Sequence, residues 1–430
     1  MVPILLGFGC VLLLAFAGVP IAFAMVIVGF FGFASLLGFG PAFALVGQTI
    51  GESVLQESLS VLPLFVLMGN LCTRSGLSED LYRFGYAFLG ALRGGLAMAT
   101  VFACGGFSAI CGSSLATAAT MTKVALPPMR RFGYADSLAS ASIAAGGTLG
   151  IMIPPSIILV IYGLITETNI AKLFIAGVLP GVLGMLLYMA AVQITVWRNP
   201  AAGPAGEGVP WNGRWTAMRR VWGVLALFAL VMGGLYGGVF TSTEGAAIGA
   251  SGAFLLALQR RSLSLSTLVD VLGETARTSA VLFTVLIGAL IFANFVNTAQ
   301  FPQMLQALIR GLDAPPLAVL LAIVVLYLIL GCVLESISMI LLTIPVLFPI
   351  VTSLGFDPIW FGILVVVVIE VGMITPPVGM NIFVLTATQK DLRNATVIRG
   401  LVPFLGMDVI RLTVLIAFPS IALLLPGLMR

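Results

Sequence analysis

Two short segments carry the strongest chemical signal in the chain: Gly150-Ile151-Met152-Ile153-Pro154-Pro155-Ser156 and Gly372-Met373-Ile374-Thr375-Pro376-Pro377-Val378. A proline cannot donate a hydrogen bond to the carbonyl four residues earlier. Pro154 and Pro155 therefore release the carbonyls of Gly150 and Ile151, and Pro376 and Pro377 release those of Gly372 and Met373. In apolar surroundings an unpaired carbonyl is costly until something satisfies it. A dehydrated Na+, a hard cation that takes oxygen ligands at broken helices, is one solution. A neighbouring helix or a water at an ordinary proline kink is the other.

Short polar side chains elsewhere in apolar sequence supply further oxygens. Ser108, Ser113 and Ser114 flank Gly112, and Glu335, Ser336 and Ser338 stand together in the second half. Helices opening after such turns present free N–H groups to an anion; plain turn chemistry and serine bonding back to helix carbonyls is the alternative. Glu370 lies two residues before Gly372 in a run of valines, where a carboxylate marks a functional site by default. Asp408 and Arg411 are spaced for an ion pair within the last span. Asn381 could hydrogen-bond a substrate carboxylate or a broken-helix carbonyl.

Several chemistries are missing. The chain has no histidine, and its five cysteines (Cys10, Cys72, Cys104, Cys111, Cys332) form no C-x-x-C pair and read as small hydrophobes. There is no phosphate-binding G-x-x-x-x-G-K-[ST], no H-E-x-x-H and no G-x-S-x-G. A non-enzymatic protein without a cofactor, driven by an ion gradient if it transports, is the expectation.

The elements that position these groups follow from composition. Of 430 residues, 60% are apolar and 8% charged, against about 25% charged in soluble domains. Mean hydropathy is +1.17, which identifies an integral membrane protein. The net charge of +4 is too slight for a nucleic-acid binder and bears instead on orientation in the bilayer. Apolar runs predict spans near 3–18, 21–38, 55–72, 138–163, 173–197, 221–240, 245–259, 277–297, 359–387 and 400–426. The first run has neither a basic n-region nor a small-residue cleavage site, so a retained span is expected rather than a signal peptide. Runs 95–127 and 316–349 are interrupted by Gly112-Ser113-Ser114 and Glu335-Ser336-Ile337-Ser338. Arms of about 15 residues are too short to cross, so both runs predict re-entrant helical hairpins with polar tips at mid-membrane.

A Pro-, Gly- and Ala-rich linker at 198–220 divides the chain into repeats 1–197 and 221–430. An offset of 222 residues aligns Ser114 with Ser336, Pro127 with Pro349, Gly150 with Gly372 and Pro154-Pro155 with Pro376-Pro377. One residue of slippage then aligns Gly177 and Pro180 with Gly400 and Pro403. Segment 123–131 carries three basic residues, whereas its counterpart 345–357 carries none. The following loops reverse this bias: 166–172 is balanced, whereas 388–399 holds Lys390, Arg393 and Arg399 against Asp391. By the positive-inside rule the halves are inverted. The predicted fold is an all-α polytopic membrane protein of two inverted repeats, each with a re-entrant hairpin and a helix broken at Pro-Pro, the architecture of secondary transporters.

The motifs Phe107-Ser108-Ala109-Ile110-Cys111-Gly112-Ser113-Ser114-Leu115-Ala116-Thr117-Ala118-Ala119 and Gly147-Thr148-Leu149-Gly150-Ile151-Met152-Ile153-Pro154-Pro155-Ser156 resemble the first repeat of the large membrane subunit of tripartite ATP-independent periplasmic (TRAP) transporters. Gly372 to Asn381 is similar to its second repeat, and Leu62-Pro63-Leu64-Phe65-Val66-Leu67-Met68-Gly69 to its third span. The resemblance covers essentially the whole chain. It implies a Na+-driven importer in the bacterial inner membrane that carries a C4-dicarboxylate, sialic acid or another sugar acid by elevator movement of its hairpins. The partners implied are a small four-helix membrane subunit, a periplasmic substrate-binding protein and membrane lipids. Family Na+ sites map onto Ser108, Gly112, Ser113, Ser114, Gly147 and Gly150, and onto Gly331, Glu335, Gly372, Thr375 and Val378. Ser114, Thr148, Ser156, Ser336, Ser338 and Asn381 are the candidates for holding the acid, groups that many acids could use. Glu335 departs from the aspartate common in the family, and the chain opens on the large-subunit pattern, so the small subunit is expected as a separate chain. Other readings are a stand-alone Na+/anion symporter of the same architecture, a membrane anchor of a redox complex, which the missing histidine disfavours, and an intramembrane hydrolase, for which no nucleophile and base stand out.

Overall fold

The computed structural model describes residues 2–429, and every regular element among them is helical. The first half opens with α1 (Val2–Phe16), α2 (Ile21–Leu37), α3 (Phe39–Leu55), α4 (Val61–Arg74) and α5 (Leu77–Leu89). It continues with α6 (Gly95–Cys111), α7 (Ser114–Arg131), α8 (Asp136–Thr148), α9 (Ile157–Thr166) and α10 (Ile170–Arg198). The second half holds α11 (Trp211–Tyr236), α12 (Ser242–Gln259), α13 (Leu265–Thr298), α14 (Phe301–Gly311) and α15 (Pro316–Gly331). After these come α16 (Ser336–Ser353), α17 (Pro358–Ile374), α18 (Met380–Thr388), α19 (Asn394–Ala417) and α20 (Ser420–Gly427). Among the described residues α10, α11, α13, α16 and α19 are each long and apolar enough to cross a bilayer, and α3 together with the 3-10 turn Glu57–Ser60 and α4 is so as a pair bent by 63°. The chain is a multi-span membrane protein.

Both halves run hairpin, helix, break, helix. In the first, α6 and α7 form the hairpin, and α8 and α9 flank a break closed by a short 3-10 turn, Leu149–Ile151. In the second, α15 and α16 form the hairpin, and α17 and α18 flank the other break. The first arm of each hairpin lies on the helix that enters the break of its own half, α6 on α8 and α15 on α17. The second arm touches both halves: α7 packs on α8 and also on α18, and α16 packs on α9 and, less extensively, on α17. Arg130, in the last turn of α7, pairs with Asp136 at 2.8 Å and with Asp391 beyond α18 at 2.7 Å, which ties these elements together at one end.

The structure departs from the sequence expectations in several places. The hairpin arms are 17, 18, 16 and 18 residues, longer than expected. α7 runs through Pro127-Pro128 to Arg131, and α16 through Pro345 and Pro349, because one proline removes one donor without ending a helix held by its neighbours. α3, α5 and α14 were not expected. α5 and α14 are amphipathic and charged, and α3 carries Gln48 and Glu52, so none reads as an apolar run. α13, at 34 residues, rises about 51 Å, well beyond a hydrocarbon core of about 30 Å. Its polar first turns project from the span predicted at 277–297.

The linker is shorter than the predicted 198–220, because α11 begins at Trp211. It is also stitched to the first hairpin's base: the N–H of Gly94 donates to Gly203 O at 2.8 Å, that of Ala135 to Ala202 O at 3.0 Å, and that of Gly206 to Gly90 O at 2.9 Å.

Candidate functional site

Each hairpin tip is a polar turn pressed against a break, and glycine makes the approach possible. At the first tip α6 ends at Cys111, Gly112 adopts φ +62°, and Ser113 is extended before α7. A side chain on Gly112 would be strained by that φ and would bring a Cβ 3.0 Å from Pro155 O. Gly150 lies against the same turn: a Cβ there would sit 2.8 Å from Ser113 O and 2.9 Å from Ser114 N. In the second half Gly331 and Gly372 meet back to back, and a Cβ on Gly372 would lie 2.7 Å from the Gly331 Cα. Gly147 abuts Ala118 on α7.

The oxygens around these contacts are hydroxyl, amide and main-chain groups. Ser113 Oγ accepts from the N–H of Ala116 and so caps α7. Ser108 Oγ donates to Cys104 O at 2.5 Å. Ser156 Oγ donates to Ile151 O at 2.5 Å and accepts from the N–H of Leu159. Thr375 Oγ1 donates to Val371 O at 2.6 Å, and its N–H donates to Gly372 O at 3.1 Å. Two of the four carbonyls that the prolines were expected to release, Ile151 and Gly372, therefore have protein donors. The first break is buried except for the partly exposed Ile153, whereas Pro377 and Val378 of the second are exposed.

Asn381 joins the halves. Its Oδ1 accepts from Ser114 Oγ at 2.9 Å, and its Nδ2 donates to Ala144 O at 3.0 Å, in a site sealed from solvent. Of the two readings open from sequence, the structure places it on a carbonyl of α8 before the break and on the first tip. Asn381→Ala would orphan two buried partners, so a loss of about 3 kcal/mol is expected in denaturant unfolding of the detergent-solubilised protein. A loss under about 1 kcal/mol would mean that the bridge contributes little beyond packing.

The other candidates separate by place. Thr148 is buried where α8 ends, its hydroxyl donated to Ala145 O at 2.7 Å. Ser336 and Ser338 are at the second tip, where Ser338 Oγ donates to Glu335 Oε2 at 3.1 Å. Glu335 and Ser338 also line a cavity of about 650 Å³ that opens between this tip, the turn joining α1 to α2, and α13. α13 contributes Arg277 and Thr284 to its wall, and Arg277 is exposed. The sequence reading missed Arg277, since it falls at the polar boundary of a predicted span.

The ion pair expected within the last span does not form. Arg411 Nη1 instead donates to Glu370 Oε2 on α17 at 2.5 Å, and both Asp408 oxygens accept from Tyr188 Oη on α10, at 2.9 and 3.1 Å. One helical turn separates Asp408 from Arg411, but neighbouring helices offer each a partner already directed inward. All four side chains are fully buried. Tyr188 was also missed, because a lone tyrosine in an apolar span gives no signal of its own.

Comparison with known proteins gives consistent matches along the chain. The family model described as "Tripartite ATP-independent periplasmic transporter, DctM component" matches residues 8–421. A C4-dicarboxylate TRAP transporter large permease protein of Pseudomonas aeruginosa is 39% identical over 373 residues, covering 86% of each chain. A sialic acid TRAP transporter large permease protein of Vibrio cholerae is 32% identical over 417 residues, covering 96% of each. Among solved structures, the YdaH transporter of Alcanivorax borkumensis superposes with a TM-score of 0.64 over 88% of each chain at 18% identity, a likeness of fold.

Proposed function

The chain belongs to the DctM component family of tripartite ATP-independent periplasmic transporters, and on that premise we propose that it forms the Na+-coupled path by which a small organic acid enters the cell. The observation that carries this reading is the twofold occurrence of a glycine-mediated contact between a polar hairpin tip and a broken helix. Hydroxyl and main-chain oxygens gather there without a fixed carboxylate at the first break, a donor set suited to a weakly held alkali cation. Ser108, Gly112, Ser113, Ser114, Gly147 and Gly150 would surround one Na+, and Gly331, Glu335, Gly372, Thr375 and Val378 the other. At Gly, Val and the other apolar positions only the main-chain oxygen can contribute.

The packing of each second arm on the other half's broken helix supports an inverted repeat, since a twofold pseudo-axis in the membrane generates that reciprocal contact. Arg277, which lines the same cavity as Glu335 and Ser338, supports an anionic cargo. The relatives named above carry a C4-dicarboxylate and sialic acid, and a small acid of that kind is the proposed substrate. A periplasmic binding protein would deliver it, a separate small membrane subunit would brace the static helices, and the hairpins would move as an elevator in the bacterial cytoplasmic membrane.

Uptake of labelled acid into vesicles containing both membrane subunits tests this. Uptake should require an inward Na+ gradient and the binding protein, and Thr375→Val or Ser114→Ala should shift the Na+ dependence to higher concentration. Equal uptake driven by K+ or ATP would refute the coupling, and uptake without the binding protein would make the chain a stand-alone symporter.

A further inference from the structure

Between the two breaks lies a buried series of polar side chains, linked by side-chain contacts except across one turn of α19. Thr148 stands two residues before Gly150, and Glu370 two residues before Gly372, so the 222-residue offset makes Thr148 and Glu370 equivalent. The one-residue slippage seen later in the repeat makes Tyr188 equivalent to Arg411. The structure pairs each with its counterpart in the same half: Thr148 Oγ1 lies 3.4 Å from Tyr188 Oη, and Arg411 Nη1 lies 2.5 Å from Glu370 Oε2. The halves then connect, because Tyr188 Oη reaches Asp408, one turn from Arg411 on α19. Thr148, Tyr188, Asp408, Arg411 and Glu370 are all fully buried. The guanidinium also rests on Gly184 of α10, where a Cβ would lie 2.6 Å from its Cζ.

Such a cluster is an expensive way to hold helices together. Buried ion pairs can often be exchanged for apolar residues of similar volume without loss of stability. Nor is this pair saturated: Glu370 Oε1 and Arg411 Nε and Nη2 have no hydrogen-bond partner among the described residues. A saturated pair would be a rigid pin, whereas three free atoms allow the pair to re-form in a second arrangement as α17 shifts.

We propose that Thr148, Tyr188, Asp408, Arg411 and Glu370 couple the two breaks, so that an ion settling at one raises the affinity of the other. This rests on the reading of both breaks as Na+ sites. Tyr188, Asp408, Arg411 and Glu370 act here as positioning residues: they reach the ions only through the backbone of the segments that they hold. The series runs through α8, α10, α19 and α17 and needs no displacement of the hairpins themselves.

Tyr188→Phe cuts the series where it passes from one half to the other and keeps the ring, whose edge-to-face contact with Phe404 at 5.7 Å is independent of the hydroxyl. The test is a Na+ titration of the purified full-length protein with its small subunit, read as thermal stabilisation and, separately, as initial uptake rate. The unmodified protein should show a Hill coefficient approaching 2, and Tyr188→Phe one close to 1, with half-saturating Na+ raised at least about fivefold, the lower end of ordinary coupling between sites. Asp408→Asn, which keeps an acceptor for the Tyr188 hydroxyl, should retain more cooperativity than Asp408→Leu and serves if Tyr188→Phe fails to fold. A lower melting temperature with an unchanged Hill coefficient would overturn the coupling and leave a structural cluster. An unmodified protein with no response to Na+ would overturn the Na+ reading itself.

Discussion

Replacing Arg411 with alanine is expected to lower the stability of the folded chain by about 3–5 kcal/mol, a larger loss than any surface substitution should produce. The side chain is fully buried, and its removal leaves the buried Glu370 carboxylate without its cation while Asp408 keeps only the Tyr188 hydroxyl. Coulomb attraction in the intact pair offsets part of the cost of burying the charges, and a lone partner keeps the full cost. It also empties the space over Gly184, which the guanidinium fills. Removing both members should be far milder, so Glu370→Leu combined with Arg411→Leu is expected to recover most of the loss. Unfolding of the unmodified protein, Glu370→Leu, Arg411→Leu and the double variant in one detergent, arranged as a double-mutant cycle, measures this. Additive losses would show that the two side chains do not interact, contrary to the 2.5 Å contact.

The second large effect falls on uptake. Gly372→Val would place a Cβ 2.7 Å from the Cα and 2.9 Å from the carbonyl carbon of Gly331. Both obstacles are backbone, so no rotamer change relieves the clash, and the second hairpin must separate from its break. Overpacking of this kind costs about 1–3 kcal/mol, which a protein of this size can survive. The geometry that gathers the oxygens cannot survive it, and uptake should fall to background in protein that still assembles with its small subunit. Gly150→Ala should behave similarly, since its Cβ would meet Ser113 and Ser114 within 2.9 Å. Gly47→Ala is the control: it lies within α3 with open space around the new Cβ, and uptake there should be unchanged. Near-normal uptake by Gly372→Val would mean that the close contact is dispensable.

The parts of the fold that the sequence disclosed are those whose physics is local. Pro154-Pro155 and Pro376-Pro377 each remove two neighbouring donors from the i to i−4 ladder inside an apolar span, shortly after a glycine, so these breaks were visible without a structure, although the same pair at Pro127-Pro128 does not end α7. The polar tips were equally visible, because Gly112-Ser113-Ser114 and Glu335-Ser336-Ile337-Ser338 place clustered turn-forming and polar residues in the middle of otherwise apolar runs. Prolines were a weaker guide in α7 and α16, where tertiary contacts carried the helix past them. Amphipathic α5 and α14 escaped notice because a search for spans rewards uniform hydropathy, and these helices face water on one side.

The side-chain connections were less legible. Asp408 and Arg411 had the spacing of an intrahelical pair, and only the packing of α10 and α17 against α19 reveals that each has a better partner. Tyr188 carries no signal alone, but extending the repeat alignment past Pro180 would have set it opposite Arg411. Asn381 was recognised as significant with its partner undecided, since the choice depends on which helix end the first tip meets.

One measurement addresses the account most directly: simultaneous flux of labelled Na+ and labelled acid into vesicles bearing the complete transporter, with no other gradient imposed. Two equivalent breaks, each holding an ion, predict at least two Na+ entering for every acid, with both fluxes lost together in Gly372→Val. Entry of the acid with no accompanying Na+ would contradict it.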